Sequence, residues 1–404
     1  MLYIKKLTGM NITLVLTFTF LLSGCAQKIL HKPLDKKTYD ALAFSDSLSE
    51  DRWWGDTLPP SIKRNLIQQA EILKQRFPTA INADSENAPE YNSLTISGGG
   101  ADGAFGAGLL VGWTQSGQRP QFEMVTGTST GAVLAPFAFL GSKYDEVLLS
   151  IYSELTKDKI YQSQFFSGFF GGSSIADTTS LQEQIKKYIT LDLIEKIAEQ
   201  HKKSRSLFIV TTHFDAMRPM IWDIGGIASR RDNASVKLIR KIILASAAIP
   251  VMFPPVTFEF EKNGKLFTEL HVDGGVTRNA FSYPAKISVK EIEKIQGLIF
   301  KRNVYVIQNG NSKIPFAPSP VDMIGIATRT TLGLLQEKIN ADVERIYYLT
   351  QRDEIGFKMI EIPDEFVADR AIDFDPEYMN QLIALGIEIG STGNFWHSTP
   401  PSIR

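Results

Sequence analysis

The sequence predicts an α/β protein with a mostly parallel sheet that helices cover on both faces. Strand-like runs rich in β-branched and aromatic residues alternate along the chain with apolar helical stretches, which is the pattern of this fold class. Two of the turns between them, residues 98–103 and 127–131, are rich in glycine. At 404 residues, 43% hydrophobic and 22% charged, the chain is long and apolar enough to bury such a core.

The individual elements follow from residue type and spacing. Strands are predicted at residues 93–97, 121–126, 206–212, 219–224, 256–260, 265–270 and 301–308. Helices are predicted at 61–77, 104–113, 130–140, 145–155, 236–246, 321–339 and 376–391, with a further helix ending at 188. Asn263-Gly264 predicts a hairpin turn, and the Phe- and Gly-rich segment 165–174 predicts a loop and a candidate flap.

The N-terminus has the layout of a secretory signal. Lys5 and Lys6 precede an uncharged, largely apolar stretch from 7 to 22, and small residues follow it. Leu22-Ser23-Gly24-Cys25 resembles a bacterial lipobox, which implies that Cys25, the only cysteine, is lipidated and becomes the first residue. An ordinary signal peptide or an uncleaved anchor helix is the alternative. We therefore expect a signal peptide at 1–24.

The resemblance to a lipobox also implies a location. Several acyl chains on Cys25 would anchor the protein stably, whereas a single chain binds a membrane only marginally. Ala26-Gln27 lacks the aspartate that signals retention in the inner membrane. We expect a lipid-anchored protein of the bacterial cell envelope, at the outer membrane, with residues 25–90 forming a tether and an N-terminal helix. Within the tether, Trp53-Trp54 predicts either packing against the main domain or contact with the bilayer interface.

The net charge of the chain argues against partners that are held by a strong overall charge, such as nucleic acids. Lys and Arg number 43 and Asp and Glu 44, so the formal charge is −1 at pH 7. Such a balance gives no overall field that attracts nucleic acid or anionic lipid. We expect no nucleic-acid partner.

The segment Gly127-Thr128-Ser129-Thr130-Gly131 has the GxSxG pattern of a nucleophile elbow. An extended run precedes it and an apolar helix follows it, which is the strand–turn–helix setting that such an elbow needs. Ser129 is therefore the candidate nucleophile. The alternative is a glycine-rich turn in which a serine caps a helix.

The triglycine segment at 98–100 offers bare backbone N–H groups at the start of a predicted helix. These groups can stabilise the negative oxygen of an acyl-transfer intermediate. Gly98, Gly100 and Gly103 also give the GxGxxG spacing of a dinucleotide site. A dinucleotide site requires an acidic residue at the end of the next strand. Glu123 lies in the middle of that predicted strand instead. The segment is therefore better interpreted as an oxyanion loop.

A serine nucleophile needs a proton acceptor. None of the five histidines lies in a motif-like setting, although His271 comes two residues before Asp273. Asp273 follows a predicted strand and precedes Gly274-Gly275, so it can lie at the same sheet edge as the elbow or serve only as a turn residue. A Ser–His–Asp hydrolase that uses His271 or His397 is the rival interpretation.

These motifs together resemble the patatin-like phospholipases. The triglycine loop, the GxSxG segment and Asp273-Gly274-Gly275 occur in that family's order, with similar segments at 245–250 and 253–255 and an asparagine at Asn279. The resemblance covers about 93–309 and implies a three-layer α/β fold, so we expect a catalytic domain at 91–310. From the helices predicted after it, we expect 311–404 to be a helical extension packed on this domain. It also implies hydrolysis of fatty-acyl esters in membrane phospholipids or neutral glycerides.

The family's site residues carry over to matching positions. Ser129 corresponds to the nucleophile, Asp273 to the base of a Ser–Asp dyad without histidine, and Gly98, Gly99 and Gly100 to the oxyanion loop. We expect no metal, because His and Cys with the spacing of metal ligands are absent from the sequence, and we expect no cofactor. One position departs from the pattern, because Asp102 stands where the family usually has arginine. Asp102 can pair with a cation or act as a first-turn helix residue, and it leaves a catalytically silent lipid-binding lipoprotein open as an alternative.

Overall fold

The computed structural model describes residues 31–33, 35, 51–57, 60–84, 86–153, 178–262, 264–313, 316, 318, 321–366 and 375–404. The strands are β1 (Arg52–Trp54), β2 (Glu90–Ile96), β3 (Met124–Thr128), β4 (Ser206–His213), β5 (Arg218–Asp223), β6 (Val256–Lys262), β7 (Lys265–Asp273), β8 (Lys301–Ile307) and β9 (Gly356–Ile360). The α-helices are α1 (Pro60–Arg76), α2 (Gly103–Gln115), α3 (Thr130–Leu140), α4 (Asp145–Ser153), α5 (Thr179–Tyr188), α6 (Leu191–His201), α7 (Ile224–Ala228), α8 (Asn233–Ser246), α9 (Val289–Gln296), α10 (Met323–Arg352) and α11 (Pro376–Ser391).

In this part of the chain the strands form one sheet of nine, in the order β1-β5-β4-β3-β2-β8-β9, with β7 paired to β4 and β6 to β7. Five neighbouring strands of the sheet are parallel to one another, in the order β4, β3, β2, β8 and β9. Strands β1, β5, β6 and β7 pair in the antiparallel sense at one side. The prediction of an α/β fold with a mostly parallel central sheet is confirmed.

Helices cover both faces of the sheet, because side chains alternate along each strand. On β8, Val304 and Val306 pack with the α10 side chains Ile339 and Val343. The intervening Tyr305 joins the larger core on the opposite face, to which helices such as α2, α3, α6, α8 and α11 contribute. The result is three layers. No helix within the described ranges is both long and apolar enough to cross a bilayer.

Helices α2 and α11 pack with their backbones in close approach. A Cβ atom built on Gly108 would lie 2.2 Å from the carbonyl oxygen of Ile383, and one on Gly386 would lie 2.4 Å from that of Phe105. Because glycines face the partner backbone on both helices, neither side can carry a larger residue without moving. This packing fixes α11, near the C-terminus, against the helix that follows the triglycine loop.

Both flanks of the predicted catalytic domain contribute strands to the sheet. Residues 25–90 are predicted to give a tether and one helix, but their β1 pairs with β5, and Trp54 on it is 3% exposed. Trp53 packs edge-on against Phe208, so this pair lies against the main domain. Residues 311–404 are predicted to be helical, but β9 pairs with β8 as the outermost parallel strand. Short edge strands of this kind form because their backbones pair with a neighbouring strand. Local sequence patterns predict such pairing poorly.

Several expectations concern residues outside the described ranges. The signal peptide at 1–24 and the lipidation site Cys25 are among them. The candidate flap at 165–174 and Asn263 of the hairpin turn also lie outside. The hairpin itself is present, because β6 and β7 pair in register from Lys262 and Lys265 onward.

Candidate active site

Ser129 lies in a sharp turn between β3 and α3. Its φ of 54° and ψ of −124° are unusual for a residue with a side chain. The flanking glycines make the turn possible: a Cβ on Gly127 would lie 2.3 Å from the carbonyl oxygen of Gly131, and one on Gly131 equally close to that of Ile96. The GxSxG segment therefore has the strained strand–turn–helix geometry that a nucleophile elbow requires.

Strand β4 brings the two candidate catalytic residues to one place. On one side of β4, Val210 pairs with Thr128, the last residue of β3. The next residue, Thr211, pairs with Asp273, the last residue of β7. Strands β3 and β7 thus run toward each other along β4 and end there, so Ser129 and Asp273 meet although they are far apart in sequence.

The Ser129 hydroxyl donates a hydrogen bond of 2.6 Å to Oδ2 of Asp273. The other carboxylate oxygen accepts a bond of 2.7 Å from the N–H of Gly275. Asp273 is 1% exposed, and burial raises the pKa of its carboxyl to about 7, although the hydrogen bonds from Ser129 and Gly275 work in the opposite direction. A base with a pKa near neutrality is well matched to proton transfer at physiological pH.

Ser246 supports the elbow from the end of α8. Its hydroxyl accepts a bond of 2.9 Å from the backbone N–H of Ser129 and donates one of 2.6 Å to the carbonyl oxygen of Val210. Ser246 is fully buried, so it links the strained turn to the adjacent strand in a site without competing water.

The triglycine loop lies directly beside Ser129. A Cβ built on Gly98 would be 2.9 Å from the Cβ of Ser129. The N–H of Gly98 is already used, because it donates a bond of 2.8 Å to Oδ1 of Asn279. The prediction of Gly98 as an oxyanion donor therefore needs correction: Gly98 positions the loop, while the N–H groups of Gly99 and Gly100 have no hydrogen-bond partner in the described part of the chain. Gly100 faces open space.

Asn279 connects this loop to α10. Its side-chain nitrogen donates to the carbonyl oxygen of Leu335 at 3.0 Å, and its backbone N–H donates to Oδ2 of Asp342 at 2.7 Å. Asp342 is itself buried and held by Lys338 at 2.5 Å. The loop that would receive an oxyanion is thus braced, through Asn279, by a helix that begins more than two hundred residues further along the chain.

Asp102, which stands at the position of the family arginine, is 6% exposed. Its Oδ1 accepts a bond of 2.7 Å from the hydroxyl of Tyr378, on the first turn of α11. The carboxylate therefore links the end of the triglycine loop to the C-terminal helix.

His271 takes part in a different network. Its Nδ1 lies 2.9 Å from the hydroxyl oxygen of Thr211, which accepts the indole N–H of Trp222 at 2.8 Å. Its Nε2 lies 3.4 Å from Glu269, which also accepts two bonds from Arg52, at 2.6 and 3.2 Å. Burial lowers the pKa of His271, which favours the neutral form of the ring. Its nitrogens are occupied by these partners, and neither contacts Ser129.

His397 also lies away from the site, where its backbone pairs with Met359 of β9. Among the described residues, Asp273 is the hydrogen-bond partner of the Ser129 hydroxyl. The geometry therefore favours a Ser–Asp pair over the rival interpretation with histidine.

Within the described ranges, three buried side chains lie as close together as the ligands of a metal ion. The sequence did not predict this cluster. Ligand atoms of His213, Glu269 and His271 lie within 4.8 Å of one another. The guanidinium of Arg52 already forms two hydrogen bonds to Glu269. This neighbouring cation supplies the positive charge that the carboxylate needs and disfavours a divalent ion there.

Comparison with known proteins identifies the domain. The family model described as patatin-like phospholipase matches residues 94–286. This match covers 193 of the 404 residues, slightly less than half of the chain, and it supports a lipid acyl hydrolase in general.

Two of the solved structures to which the chain is similar are described here by name. VipD from Legionella pneumophila is 13% identical with a TM-score of 0.30, over 75% of this chain and 69% of that one. Human GIVD cytosolic phospholipase A2 is 9% identical with a TM-score of 0.33, over 80% of this chain and 56% of that one. At these scores neither similarity adds to the assignment. No protein of curated function matches the sequence significantly.

The sequence motifs did not reveal three residues that support the site: Ser246, Asp342 and Tyr378. Ser246 falls in the segment 245–250 that the family resemblance singles out, so a signal for it existed. Asp342 and Tyr378 lie on helices whose position relative to the site depends on tertiary packing, and nothing in the local sequence marks them.

Proposed function

We propose that the protein is a serine acyl-ester hydrolase in which Ser129 and Asp273 form a catalytic dyad. The observation that carries the proposal is the bond of 2.6 Å from the Ser129 hydroxyl to the buried carboxylate of Asp273. As the Ser129 oxygen bonds to the ester carbonyl carbon, Asp273 takes the hydroxyl proton. It returns that proton to the leaving alcohol oxygen when the ester bond breaks.

The second half of the reaction restores the enzyme. Water attacks the acyl group on Ser129 and gives a proton to Asp273, after which the bond from Ser129 to the acyl carbon breaks and the serine oxygen regains the proton. The N–H groups of Gly99 and Gly100 stabilise the negative carbonyl oxygen in both steps, helped by the positive end of α2. This role is supported by their lack of partners among the described residues.

The proposed substrates are fatty-acyl esters of phospholipids or neutral glycerides, as the family resemblance implies. Every group in the proposed steps belongs to the chain, to the substrate or to water. The mechanism therefore uses no metal or cofactor.

The test is hydrolysis of a short p-nitrophenyl ester by the purified mature protein. We expect Ser129→Ala to lower kcat/KM by at least about 10³-fold, and Asp273→Asn to cause a loss of similar order. His397→Ala is the control and should retain activity. Activity that survives Ser129→Ala, or that disappears with His397→Ala, would contradict the dyad.

A fluorophosphonate probe separates this proposal from a silent lipid-binding lipoprotein, the alternative that Asp102 keeps open. Only an activated serine reacts readily with the probe. We expect covalent labelling of the wild-type protein at Ser129, and none of Ser129→Ala. An unlabelled, folded wild-type protein would favour the silent lipoprotein.

We further propose that lipidation of Cys25 anchors the mature protein to the outer membrane of a bacterial cell envelope. The proposal rests on the lipobox-like residues 22–25 and on the absence of aspartate after the cysteine. Mass spectrometry of the N-terminal peptide should find acyl groups on Cys25, and Cys25→Ser should release the protein from the membrane fraction. An unmodified Cys25 in a membrane-bound protein would overturn the lipidation.

A further inference from the structure

Helix α10 extends past the carboxyl edge of the sheet, the edge formed by the carboxyl ends of the parallel strands. Its second half packs against β8 and β9 through Ile339 and Val343. Gln336 donates a hydrogen bond of 2.6 Å to the carbonyl oxygen of Asn311, which lies just beyond the end of β8. The helix begins at Met323, so the turns before Gln336 continue for up to about 20 Å past this edge.

These projecting turns begin beside the candidate active site. The carbonyl oxygen of Leu335 accepts a bond of 3.0 Å from the side chain of Asn279. The same side chain accepts the N–H of Gly98, and Gly98 lies against Ser129. The first half of α10 and the nucleophile are therefore at one edge of the molecule.

The solvent face of the projecting turns is apolar. Met323, Ile326 and Leu334 are 81%, 55% and 66% exposed. At about 100° per residue, these three side chains fall within about 80° of one another around the helix. Further along the same face, where α10 covers the sheet, the exposed residues Glu337 and Arg345 are charged. The apolar stripe is thus confined to the part of α10 beyond the sheet, as expected of an interaction surface.

The charge of this stretch indicates the kind of surface that it fits. Residues 321–336 contain one acidic residue, Asp322, and one basic residue, Arg329, so their charges sum to zero. The Asp322 carboxylate caps the helix, where it accepts the N–H of Gly325 at 2.8 Å. A neutral apolar stripe complements a lipid surface with zwitterionic head groups, because neither carries a net charge that would repel the other.

The proposed lipid anchor lies at the same edge. The N–H of Lys32 donates to Oγ1 of Thr268 at 2.6 Å, and its carbonyl oxygen accepts the N–H of Thr268 at 3.0 Å. Thr268 precedes by three residues His271, which pairs with the last residue of β4, so Thr268 lies beyond the carboxyl end of β4. Cys25 is seven residues before Lys32, a reach of at most about 25 Å. Acyl groups on Cys25 would therefore hold a bilayer at the edge where α10 projects.

We propose that the face of α10 formed by Met323, Ile326 and Leu334 inserts into a phospholipid bilayer and brings Ser129 to its substrate. This inference rests on the proposed acyl-hydrolase function and on lipidation of Cys25. The three side chains leave water on insertion, which favours binding, while the charged part of the same face stays in water.

The test is sedimentation with phosphatidylcholine vesicles, using mature protein with Cys25→Ser, which has no acyl anchor. We expect this reference protein to bind saturably. Adding Met323→Gln and Ile326→Gln together should weaken binding at least about tenfold, because two apolar side chains no longer gain by leaving water. Ile295→Gln is the matched control: Ile295 is 79% exposed on α9, near the amino end of β8, and its loss should not change binding. Binding should persist at about 0.5 M salt, since the stripe has no net charge.

Hydrolysis of the soluble p-nitrophenyl ester separates this surface from the proposed function. The double variant at 323 and 326 should hydrolyse the ester like the reference, because neither residue belongs to the dyad or the triglycine loop. A reference protein that binds vesicles but does not hydrolyse the ester would overturn the proposed function and support the surface.

Three results would overturn the surface. They are a reference protein that does not bind vesicles, a double variant that binds as tightly as the reference, and binding that is lost at high salt. A lipid-free dimer that the double variant separates into monomers would assign the face to a second copy of this chain instead of a bilayer.

Discussion

The hydroxyl of Tyr378 donates a hydrogen bond of 2.7 Å to Asp102, which joins the first turn of α11 to the end of the triglycine loop. The patatin-like family usually has arginine at the position of Asp102. A carboxylate cannot offer the fork of donors that a guanidinium provides, but it can accept from a tyrosine. The aspartate is therefore suited to hold the loop by a link to a C-terminal helix.

The first prediction concerns this link. Tyr378→Phe removes the donor and should lower the free energy of unfolding by about 1–3 kcal/mol, because a buried carboxylate loses a partner. It should also lower kcat on a p-nitrophenyl ester more than it changes KM, since the loop carries the N–H groups that we propose as oxyanion donors. Urea unfolding and steady-state kinetics measure both quantities.

Tyr283→Phe is the matched control, because it breaks another tyrosine–aspartate bond, of 3.1 Å to Asp353. It should cost stability and leave kcat unchanged. In a double-mutant cycle with Asp102→Asn, the effects of Tyr378→Phe should be non-additive. Simple additivity would contradict a direct link between the two residues.

A second prediction follows from the pKa of Asp273, which burial raises to about 7. The carboxylate must be ionised to take the proton of Ser129. We therefore expect log kcat/KM to rise with a slope near one below pH 7 and to level off above it. Initial rates on a p-nitrophenyl ester, followed at a wavelength insensitive to pH and corrected for spontaneous hydrolysis, give the profile. A flat profile from pH 5 to pH 8 would exclude Asp273 as the titrating base.

The same pKa gives a third prediction, on stability. Between the unfolded pKa of 3.8 and the folded value of about 7, the native state binds more protons at this group than the unfolded chain does. Stability contributed by Asp273 therefore falls as pH rises through this window. Asp273→Asn lacks this dependence. The stability of the variant relative to the wild type should rise by about 2–3 kcal/mol between pH 5 and pH 8.

Denaturant unfolding of both proteins at the two pH values measures that change. Groups other than Asp273 contribute equally to both proteins and cancel in the difference. A constant difference between variant and wild type would show that the Asp273 carboxyl has an ordinary pKa in the folded protein.

How far the fold could be predicted from the sequence varies between elements. The helices predicted at 130–140 and 376–391 begin and end at the predicted residues. Their limits were predictable because turn and proline residues mark their ends. Helix α10 was predicted to end at 339 but runs to Arg352. A signal for the extension was present, since Val343, Ile346 and Leu349 continue the apolar spacing on the buried face.

Some features of the candidate active site could also be predicted from the sequence, and others could not. Ser129 directly follows the end of β3 and Asp273 is the last residue of β7, and each lies in a turn motif, so their types and positions pointed to a shared sheet edge. Their meeting depends on β7 pairing with β4 just beyond the end of β3. That arrangement is a property of the sheet as a whole, which local propensities do not encode. The occupied N–H of Gly98 depends in the same way on the tertiary position of Asn279.

A fourth prediction concerns Ser246. Ser246→Ala leaves both the N–H of Ser129 and the carbonyl of Val210 without their buried partner. The free energy of unfolding should fall by about 1–3 kcal/mol. Because the strained turn at Ser129 loses a support, kcat should also fall, measured with the same ester. Ser235→Ala on the same helix is the control and should change neither quantity by much, whereas an unchanged kcat in Ser246→Ala would show that the turn holds its geometry without this bond.

The last prediction concerns the close approach of α2 and α11. In Gly386→Ala the new methyl group would lie 2.4 Å from the carbonyl oxygen of Phe105 and 2.6 Å from the backbone nitrogen of Leu109, so the helices must separate. We expect the free energy of unfolding to fall by about 1–3 kcal/mol, although alanine is the better helix former. Activity should fall as well, because α2 begins at the triglycine loop and α11 carries Tyr378. Gly333→Ala on α10 is the control, since a methyl group there meets nothing within 4 Å and should stabilise the helix by about 0.5–1 kcal/mol. If Gly386→Ala proves as stable as Gly333→Ala, the two helices are not in backbone contact.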